Sequence, residues 1–160
     1  GENMSLQDWL FKRIFPFEDK LNSDAVYYGT LLTMAESFKY GIVSTSDMYY
    51  FVDDMVRAAL ESGAKVNISR SITNPAGAPF DSLASVKEAV EVASKYHMLA
   101  DGRIRIDHSL HAEYTSTEET ATKLAEIAKQ AGLNMHVHVS ETKSEHEECK
   151  LRHEGRTPVK

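Results

Sequence analysis

The 160-residue sequence has a single cysteine and no long run of apolar residues. Because Cys149 has no second cysteine to pair with, an intrachain disulfide, a cysteine-rich zinc cluster and a disulfide-stapled secreted scaffold are all excluded. No stretch approaches the roughly 20 apolar residues that a membrane-spanning helix needs. We therefore expect a cytoplasmic protein that is neither exported nor anchored in a membrane.

Positive charge is also scarce, since the sequence has 18 lysines and arginines but 24 aspartates and glutamates, which gives a net charge of -6. The acidic residues are scattered along the chain rather than grouped in blocks. This pattern argues against nucleic acid and against an anionic membrane surface as partners. With 42% hydrophobic residues, the chain has the composition of one ordinary globular domain with one core.

The apolar residues alternate between helical and strand periodicity along most of the chain. The predicted strands are 42–48, 64–72, 103–110 and 134–141. The predicted helices are 22–40, a helix from Val52 that ends at Gly63, 82–96, a helix from a capping box of Ser116 and Glu119 to Gly132, and 143–154.

This strand–helix alternation, at about 30 residues per unit, predicts right-handed crossovers and therefore a parallel α/β sheet. Two architectures accept the pattern. One is a small doubly wound sheet, and the other is a section of a (β/α)8 TIM barrel, whose full length is about 250 residues. Four strands with flanking helices correspond to half of such a barrel, and no repeat or linker indicates a second domain.

Polar side chains stand at the ends of all four predicted strands, where ligands bind in both architectures. They are Asp47, Arg70, His111, His138 and Glu141. Buried parallel strands are normally rich in valine, isoleucine and leucine, so this set favours a shared functional site.

His136 and His138 lie two residues apart on one strand and therefore point to the same side, as metal-ligating histidines often do. Taken alone, the pair fits equally well one packed histidine and one hydrogen-bonded histidine. Glu141 favours the metal interpretation, because it follows the strand where a carboxylate can exchange protons with a group bound to a metal.

Several runs occur in the order found in one enzyme superfamily. They are LQDWLFKRIFPFE at 6–18, YGT at 28–30 through Glu36, SDMY at 46–49, HAEYT at 111–115 and HVHVSET at 136–142 through Glu145. Together they resemble the amidohydrolase superfamily. The most similar branch contains the methylthioadenosine, S-adenosylhomocysteine and 5′-deoxyadenosine deaminases, with the related triazine and guanine hydrolases.

The resemblance implies that residues 1–160 are an internal fragment of a metal-dependent hydrolase barrel, covering about strands two to five. His138 matches a metal ligand, with zinc as the default metal and iron or nickel as alternatives. Glu141 matches the glutamate that shuttles protons. In that family a metal-bound hydroxide attacks the ring carbon that carries the amino group, the glutamate protonates a ring nitrogen, and ammonia leaves.

Three further residues match positions at which the family binds its small-molecule substrate. His111 matches a fourth-strand histidine that contacts the substrate. Glu18 matches a carboxylate that accepts hydrogen bonds from ribose hydroxyls, and Arg70 matches an arginine that holds the distal part of the substrate. His136 matches a deeper barrel residue without a ligand role.

The sequence also departs from the family pattern. The His-x-His motif of barrel strand one does not occur upstream of Leu6, and the sixth-strand histidine and eighth-strand aspartate are absent. The loop 74–82 lacks the second arginine of some adenosine-type members. We therefore expect the isolated chain to be inactive, and to associate with itself through the unpaired edges of a half-barrel.

A different class of function uses the same strand ends. A stand-alone α/β binding or regulatory module could hold a small anion or a nucleoside with Arg70 and His111, without a metal. No glycine-rich phosphate loop follows any of the strands to support this alternative.

Overall fold

The structure is a computed structural model that describes residues 3–159. Its strands are β1 (Ser44–Tyr49), β2 (Lys65–Ile72), β3 (Ile104–Ile106), β4 (His108–Ala112) and β5 (Met135–His138). Its helices are α1 (Leu6–Trp9), α2 (Phe15–Glu18), α3 (Ser23–Lys39), α4 (Val52–Ser62), α5 (Ala84–Tyr96), α6 (Leu99–Gly102), α7 (Glu118–Ala131) and α8 (Lys143–Arg152). None of the described helices is long and apolar enough to cross a membrane.

The sheet is parallel throughout, with the strand order β1-β2-β4-β5 and with β3 paired to the first half of β2. Strands β3 and β4 are two parts of one long strand that is interrupted at Asp107. The four resulting strands, with helices between them, make a curled half-barrel. This confirms the predicted α/β class and the partial (β/α)8 barrel.

The side chain of Asp107 makes hydrogen bonds at the interruption between β3 and β4. The buried carboxylate accepts hydrogen bonds from Asn67 Nδ2 (2.7 Å) and from the backbone N–H of Asn134 (3.1 Å). Asp107 thus links β2 to the residue that precedes β5, at a position where a regular strand would use backbone groups alone. These donors satisfy the buried carboxylate of Asp107, which would otherwise be costly to bury.

Strand β2 separates the apolar layer of the fold from its polar interior. Val66, Ile68 and Ile72 are buried among the hydrophobic residues that pack the sheet against the helices. Ser69 and Ser71 alternate with them and therefore face the inside of the half-barrel. The alternation directs apolar burial outward and leaves hydroxyl groups on the concave face.

The helix ends follow the predicted signals, with one correction. Gly63 and Gly132 end α4 and α7 with φ of 80° and 68°, in the left-handed region that glycine tolerates. The capping box predicted at Ser116 is wrong by one residue. Thr117 caps α7, and its hydroxyl accepts from the backbone N–H of Thr120 (3.2 Å), because Ser116 ends a preceding 3-10 turn over Glu113–Thr115.

Several predicted boundaries also moved by two or three residues. The helix predicted over 82–96 begins at Ala84, since Phe80–Ser82 forms a separate 3-10 turn. The strand predicted over 134–141 ends at His138, so Glu141 lies in the loop before α8 rather than on the strand.

The position of Ile68 predicts a large stability effect. Replacing this fully buried side chain by alanine (Ile68→Ala) should lower the free energy of unfolding by about 2–5 kcal/mol, because it leaves a cavity between β2 and α4. The matched control is Leu151→Ala on α8, where the side chain is 86% exposed. Denaturant unfolding should place the control within about 0.5 kcal/mol of the parent protein, and equal losses for both variants would contradict the assigned core.

Candidate active site

The ends of β4 and β5 bring two histidines into contact through an irregularity in the ladder. Leu110 pairs with Val137 and Ala112 pairs with His138, so His111 is one extra residue on β4. Such a β-bulge bends the strand and changes the direction of a side chain. The rings of His111 and His138 lie 5.2 Å apart between centroids, edge to face at 84°.

The imidazole of His111 is also fixed from the other side. Its Nδ1 lies 3.0 Å from the hydroxyl of Thr115, which itself accepts a hydrogen bond from the backbone N–H of Ala112 (3.1 Å). Burial lowers the pKa of His111, and the nearby ring of His138 lowers it further. Neutral imidazole is therefore favoured at this position, and it can accept or donate one hydrogen bond.

His136 lies on the same side of β5 as His138 but deeper in the half-barrel. Its ring centroid is 5.9 Å from that of His138, and its Nδ1 is 3.3 Å from the hydroxyl of Ser69. Burial lowers the pKa of His136 and raises that of Asp47, whose negative charge interacts with His136. These contacts favour the packed, hydrogen-bonded interpretation of His136.

Glu141 stands at the exposed mouth of the half-barrel, three residues beyond the end of β5. Partial burial of its carboxyl raises its pKa, the charge of His138 lowers it, and the carboxylate of Glu145 raises it again. Burial, together with Glu141 and Glu145, also raises the pKa of Tyr114 to about 12. Glu141 is thus within electrostatic reach of His138, and its carboxyl holds a proton more readily than an ordinary glutamate.

Glu18 is held at the end of β1 by a tyrosine. The hydroxyl of Tyr49 donates a 2.9 Å hydrogen bond to Glu18 Oε1. Burial and this bond both raise the pKa of Tyr49, so the tyrosine remains a donor. The bond links the last residue of α2 to the carboxyl end of the sheet, where the sequence predicted Glu18 to act.

Arg70 points away from the concave face. It lies between Ile68 and Ile72 on the outward side of β2, and its Nε is 2.5 Å from the carboxylate of Glu88 on α5. Its guanidinium is also 5.0 Å from the ring centroid of Tyr50. A substrate contact requires Arg70 to leave Glu88, so the predicted substrate role of Arg70 stays a prediction.

Sequence reasoning missed a polar network beside α8. Glu113 accepts two hydrogen bonds from Arg152 (3.0 and 2.6 Å) and lies 2.8 Å from His153 Nε2, and it approaches buried Cys149. In the described part of the chain, Glu113, Cys149 and His153 are the one cluster of three side chains with metal-ligating atoms within 4.8 Å of one another. The arginine already neutralises the carboxylate and lowers the pKa of Glu113, so the cluster is a satisfied ion-pair network.

Two features explain why the network escaped prediction. Most residues of the helix predicted over 143–154 are polar, whereas Cys149 within it is 1% exposed. Its partner Glu113 is 36 residues before Cys149, and no local pattern relates the two positions. A cavity of about 450 Å³ adjoins the network, and none of His111, His138 and Glu141 lines it.

A half-barrel of parallel strands with histidines and a carboxylate at the carboxyl ends of the strands matches part of a TIM barrel, whose functional face lies at those ends. The sequence profile of the amidohydrolase family matches residues 1–159. The chain belongs to the amidohydrolase family.

Sequence relatives of this chain include two deaminases. The chain is 36% identical over 160 residues to a 5-methylthioadenosine/S-adenosylhomocysteine deaminase of Thermoanaerobacter pseudethanolicus, covering 100% of this chain and 37% of the relative. It is 35% identical over 159 residues to a 5′-deoxyadenosine deaminase of Methanothermobacter thermautotrophicus, covering 99% and 37%. The chain therefore spans a little over a third of the length of these relatives.

Solved structures share the fold. An adenosine deaminase from Xanthomonas campestris with bound zinc superposes with a TM-score of 0.85 at 21% identity, over 99% of this chain and 36% of that one. An atrazine chlorohydrolase from Arthrobacter aurescens in complex with zinc superposes with a TM-score of 0.84 at 17% identity, over 99% and 40%. At these identities the likeness concerns the barrel architecture alone.

The contact between the two histidines makes a measurable prediction for the metal-free protein. Replacing His138 by alanine (His138→Ala) should raise the pKa of His111, because a neighbouring positive charge is removed, although burial should still keep that pKa below its usual range. Proton NMR titration of His111 gives the measurement. The control Val137→Ala, on the adjacent residue of β5, should leave the titration unchanged, and an unchanged pKa in His138→Ala would refute the coupling.

Proposed function

We propose that this chain forms part of an enzyme that hydrolyses carbon–nitrogen bonds, and that it acts by deaminating an adenosine-like or other heteroaromatic substrate. The observation that carries the proposal is the convergence of His111, His138 and Glu141 at the ends of β4 and β5 in a chain of the amidohydrolase family. The names of the sequence relatives, which are deaminases of adenosine derivatives, favour this substrate class.

His138 is the residue proposed to bind a divalent metal, with zinc first and iron or nickel as alternatives. Its ring lies at the carboxyl edge of the sheet and is partly exposed, which suits a metal ligand. It is not part of any group of three ligating side chains among residues 3–159. His138 therefore fits as one ligand of a site that needs further ligands, and a bound metal would supply activation of water.

Glu141 is the proposed proton carrier. A carboxyl group transfers protons best when its pKa approaches the working pH, and the surroundings of Glu141 shift its pKa in that direction. The charge of His138, the proposed metal ligand, lowers the pKa of Glu141, so the two side chains are within electrostatic reach of each other. In the proposed reaction, the water oxygen bonds to the ring carbon while Glu141 takes one water proton and delivers it to a ring nitrogen. The second water proton then moves to the amino group, and the carbon–nitrogen bond breaks to release ammonia.

Two other residues are proposed to hold the substrate. His111, with its Nδ1 beside Thr115, presents the rest of its ring to the space next to His138. Glu18 has one carboxylate oxygen engaged by Tyr49, and a carboxylate can accept several hydrogen bonds, which suits a pair of ribose hydroxyls. For Arg70, a substrate role additionally needs the ion pair with Glu88 to open. The same ion pair weakens the alternative of a metal-free anion-binding module.

Deamination is tested in the intact protein by supplying zinc and measuring ammonia release from 5′-methylthioadenosine, S-adenosylhomocysteine, 5′-deoxyadenosine and adenosine. Release from at least one of these supports the proposal. Absence of release from all four, in a folded protein with stoichiometric metal, would overturn the assignment of the substrate class.

Loss of the Glu141 carboxyl should abolish most of the activity. We expect Glu141→Gln to lower kcat by about 10²- to 10⁴-fold, because general acid–base transfer contributes that much to a reaction, with a small effect on KM. Glu147→Gln, the same substitution at an exposed position of α8, is the control and should keep the parent kcat. A Glu141→Gln variant with full activity would exclude the proposed proton transfer.

Self-association of the isolated 160-residue chain is the second proposal. Among the described residues, β1 pairs only with β2 and β5 pairs only with β4, so each presents an unpaired edge. Tyr28 and Leu32 of α3 add apolar surface, with 65% and 62% of each residue exposed. Unpaired parallel edges and apolar patches favour association between copies.

Sedimentation analysis of the isolated chain should therefore show dimers or larger species whose mass rises with concentration. Adding a charge to the β1 edge (Ser44→Lys) should shift the distribution toward smaller species, because lysine on an edge strand disfavours strand pairing. A stable monomer that binds no hydrophobic dye would contradict the proposal.

A further inference from the structure

Glu145 is a buried carboxylate that the proposed chemistry does not use. It is the third residue of α8, it is 2% exposed, and the described residues place no lysine or arginine within ion-pair distance of it. A buried charge without a cation is costly unless hydrogen-bond donors surround it. The hydrogen-bond donors around Glu145 must therefore account for the burial of its carboxylate.

Three consecutive backbone N–H groups supply these donors. Glu145 Oε1 accepts from Ser140 (3.1 Å), and Oε2 accepts from Glu141 (2.5 Å) and from Thr142 (3.3 Å). In return, the backbone N–H of Glu145 donates to the hydroxyl of Thr142 (3.1 Å), which completes a capping box. An ordinary capping box uses its glutamate to satisfy one backbone donor, whereas here the carboxylate takes three.

The segment held by these bonds is under backbone strain. Ser140 has φ of +53°, in the left-handed region that residues other than glycine rarely adopt. Such a conformation costs on the order of 1–3 kcal/mol and persists only where surrounding contacts enforce it. The bond from Ser140 N–H to Glu145 is one such contact, and the hydroxyl of Ser140 makes another with His146 Nδ1 (3.2 Å).

The residue in the middle of this turn is Glu141. Its backbone N–H donates to Glu145, while its own carboxyl stays within electrostatic reach of His138. Glu145 therefore fixes the backbone from which the proposed proton carrier extends. Because Glu145 belongs to α8, the position of the Glu141 carboxyl depends on this helix as well as on the loop.

We propose that Glu145 is a positioning residue, whose buried carboxylate holds the 140–142 turn and thereby directs Glu141 toward the site at His138. The inference rests on the proposed function for the role of Glu141. A residue that only caps α8 affects the stability of the protein. A residue that also positions Glu141 changes catalysis in a protein that remains folded.

The test uses Glu145→Gln and Glu145→Ala in the intact, zinc-loaded protein, with Glu147→Gln on the same helix as the control. Glutamine keeps one acceptor oxygen but turns an N–H group toward the turn, and alanine removes both acceptors. We expect kcat to fall about 10- to 100-fold in Glu145→Gln and further in Glu145→Ala, because small displacements of a catalytic group cost that much. KM should change by less than about threefold, since substrate contacts that bind both ground and transition states remain.

A second measurement needs no substrate. Amide hydrogen exchange at residues 140–142 should become at least about tenfold faster in both variants, because a lost hydrogen bond lowers the cost of local opening. The control should leave these three amides unchanged. A crystal structure of Glu145→Gln should show the Glu141 carboxyl displaced and His138 in place.

The outcomes are distinguishable. Unchanged exchange at 140–142, or an undisplaced Glu141 carboxyl, overturns the positioning role whatever the enzyme does. Faster exchange with unchanged kcat in a folded Glu145→Ala variant also overturns it. If the parent protein deaminates none of the substrates, the proposed function fails, and exchange together with the crystal structure still decides whether Glu145 holds the turn and places Glu141.

Discussion

The parallel direction of every strand pair is the constraint on which the candidate site depends. The carboxyl ends of parallel strands lie at the same edge of a sheet. Residues that are far apart in sequence therefore come close together at that edge. Glu18, Tyr49, His111, His138 and Glu141 all lie at or just beyond this edge. The interior hydroxyls of β2 and the deeper His136 form a polar floor below it.

The outward face of β2 packs against the helices, whereas its concave face carries polar groups below the candidate site. The outward face combines apolar residues with the ion pair between Arg70 and Glu88, which keeps one charged strand residue in the layer between sheet and helix. The concave face carries small hydroxyl side chains, and Ser69 reaches His136 from there. The concave face of β2 thus carries small polar groups, and β4 and β5 add histidines on the same side of the sheet.

Sequence reasoning recovered the features that depend on local periodicity. The positions of α3, α4, α5 and α7, the parallel α/β class and the placement of His138 at a strand end follow from apolar spacing and from glycine at helix ends. The bulge at His111 did not follow, because it depends on the register between two strands. The outward direction of Arg70 was also missed, although the alternation along β2 puts Arg70 on the same face as Ile68 and Ile72. Its ion pair with Glu88 could not be predicted, because Glu88 lies on another element.

Polar contacts between residues far apart in the chain were also not predicted. The burial of Cys149 and its network with Glu113 depends on α8 packing against the turn after β4, which no local pattern encodes. Glu145 belongs to the motif that follows His138, yet the sequence gives no sign that its carboxylate collects three backbone donors. Hydrogen bonds of this kind appear only when the loop conformation is known, and the left-handed Ser140 sets that conformation.

The extra residue at His111 also divides β4 into two phases. Side chains up to Leu110 alternate in step with β5, whereas Ala112 has moved one residue ahead of that alternation. Within β4 only Ala112 follows the bulge, and it still pairs with His138, so the pairing on both sides of His111 is kept. The extra residue thus adds a histidine beside His138 without changing the neighbouring pairs, so the length of the strand at this point is as much a determinant of the site as the identity of its side chains.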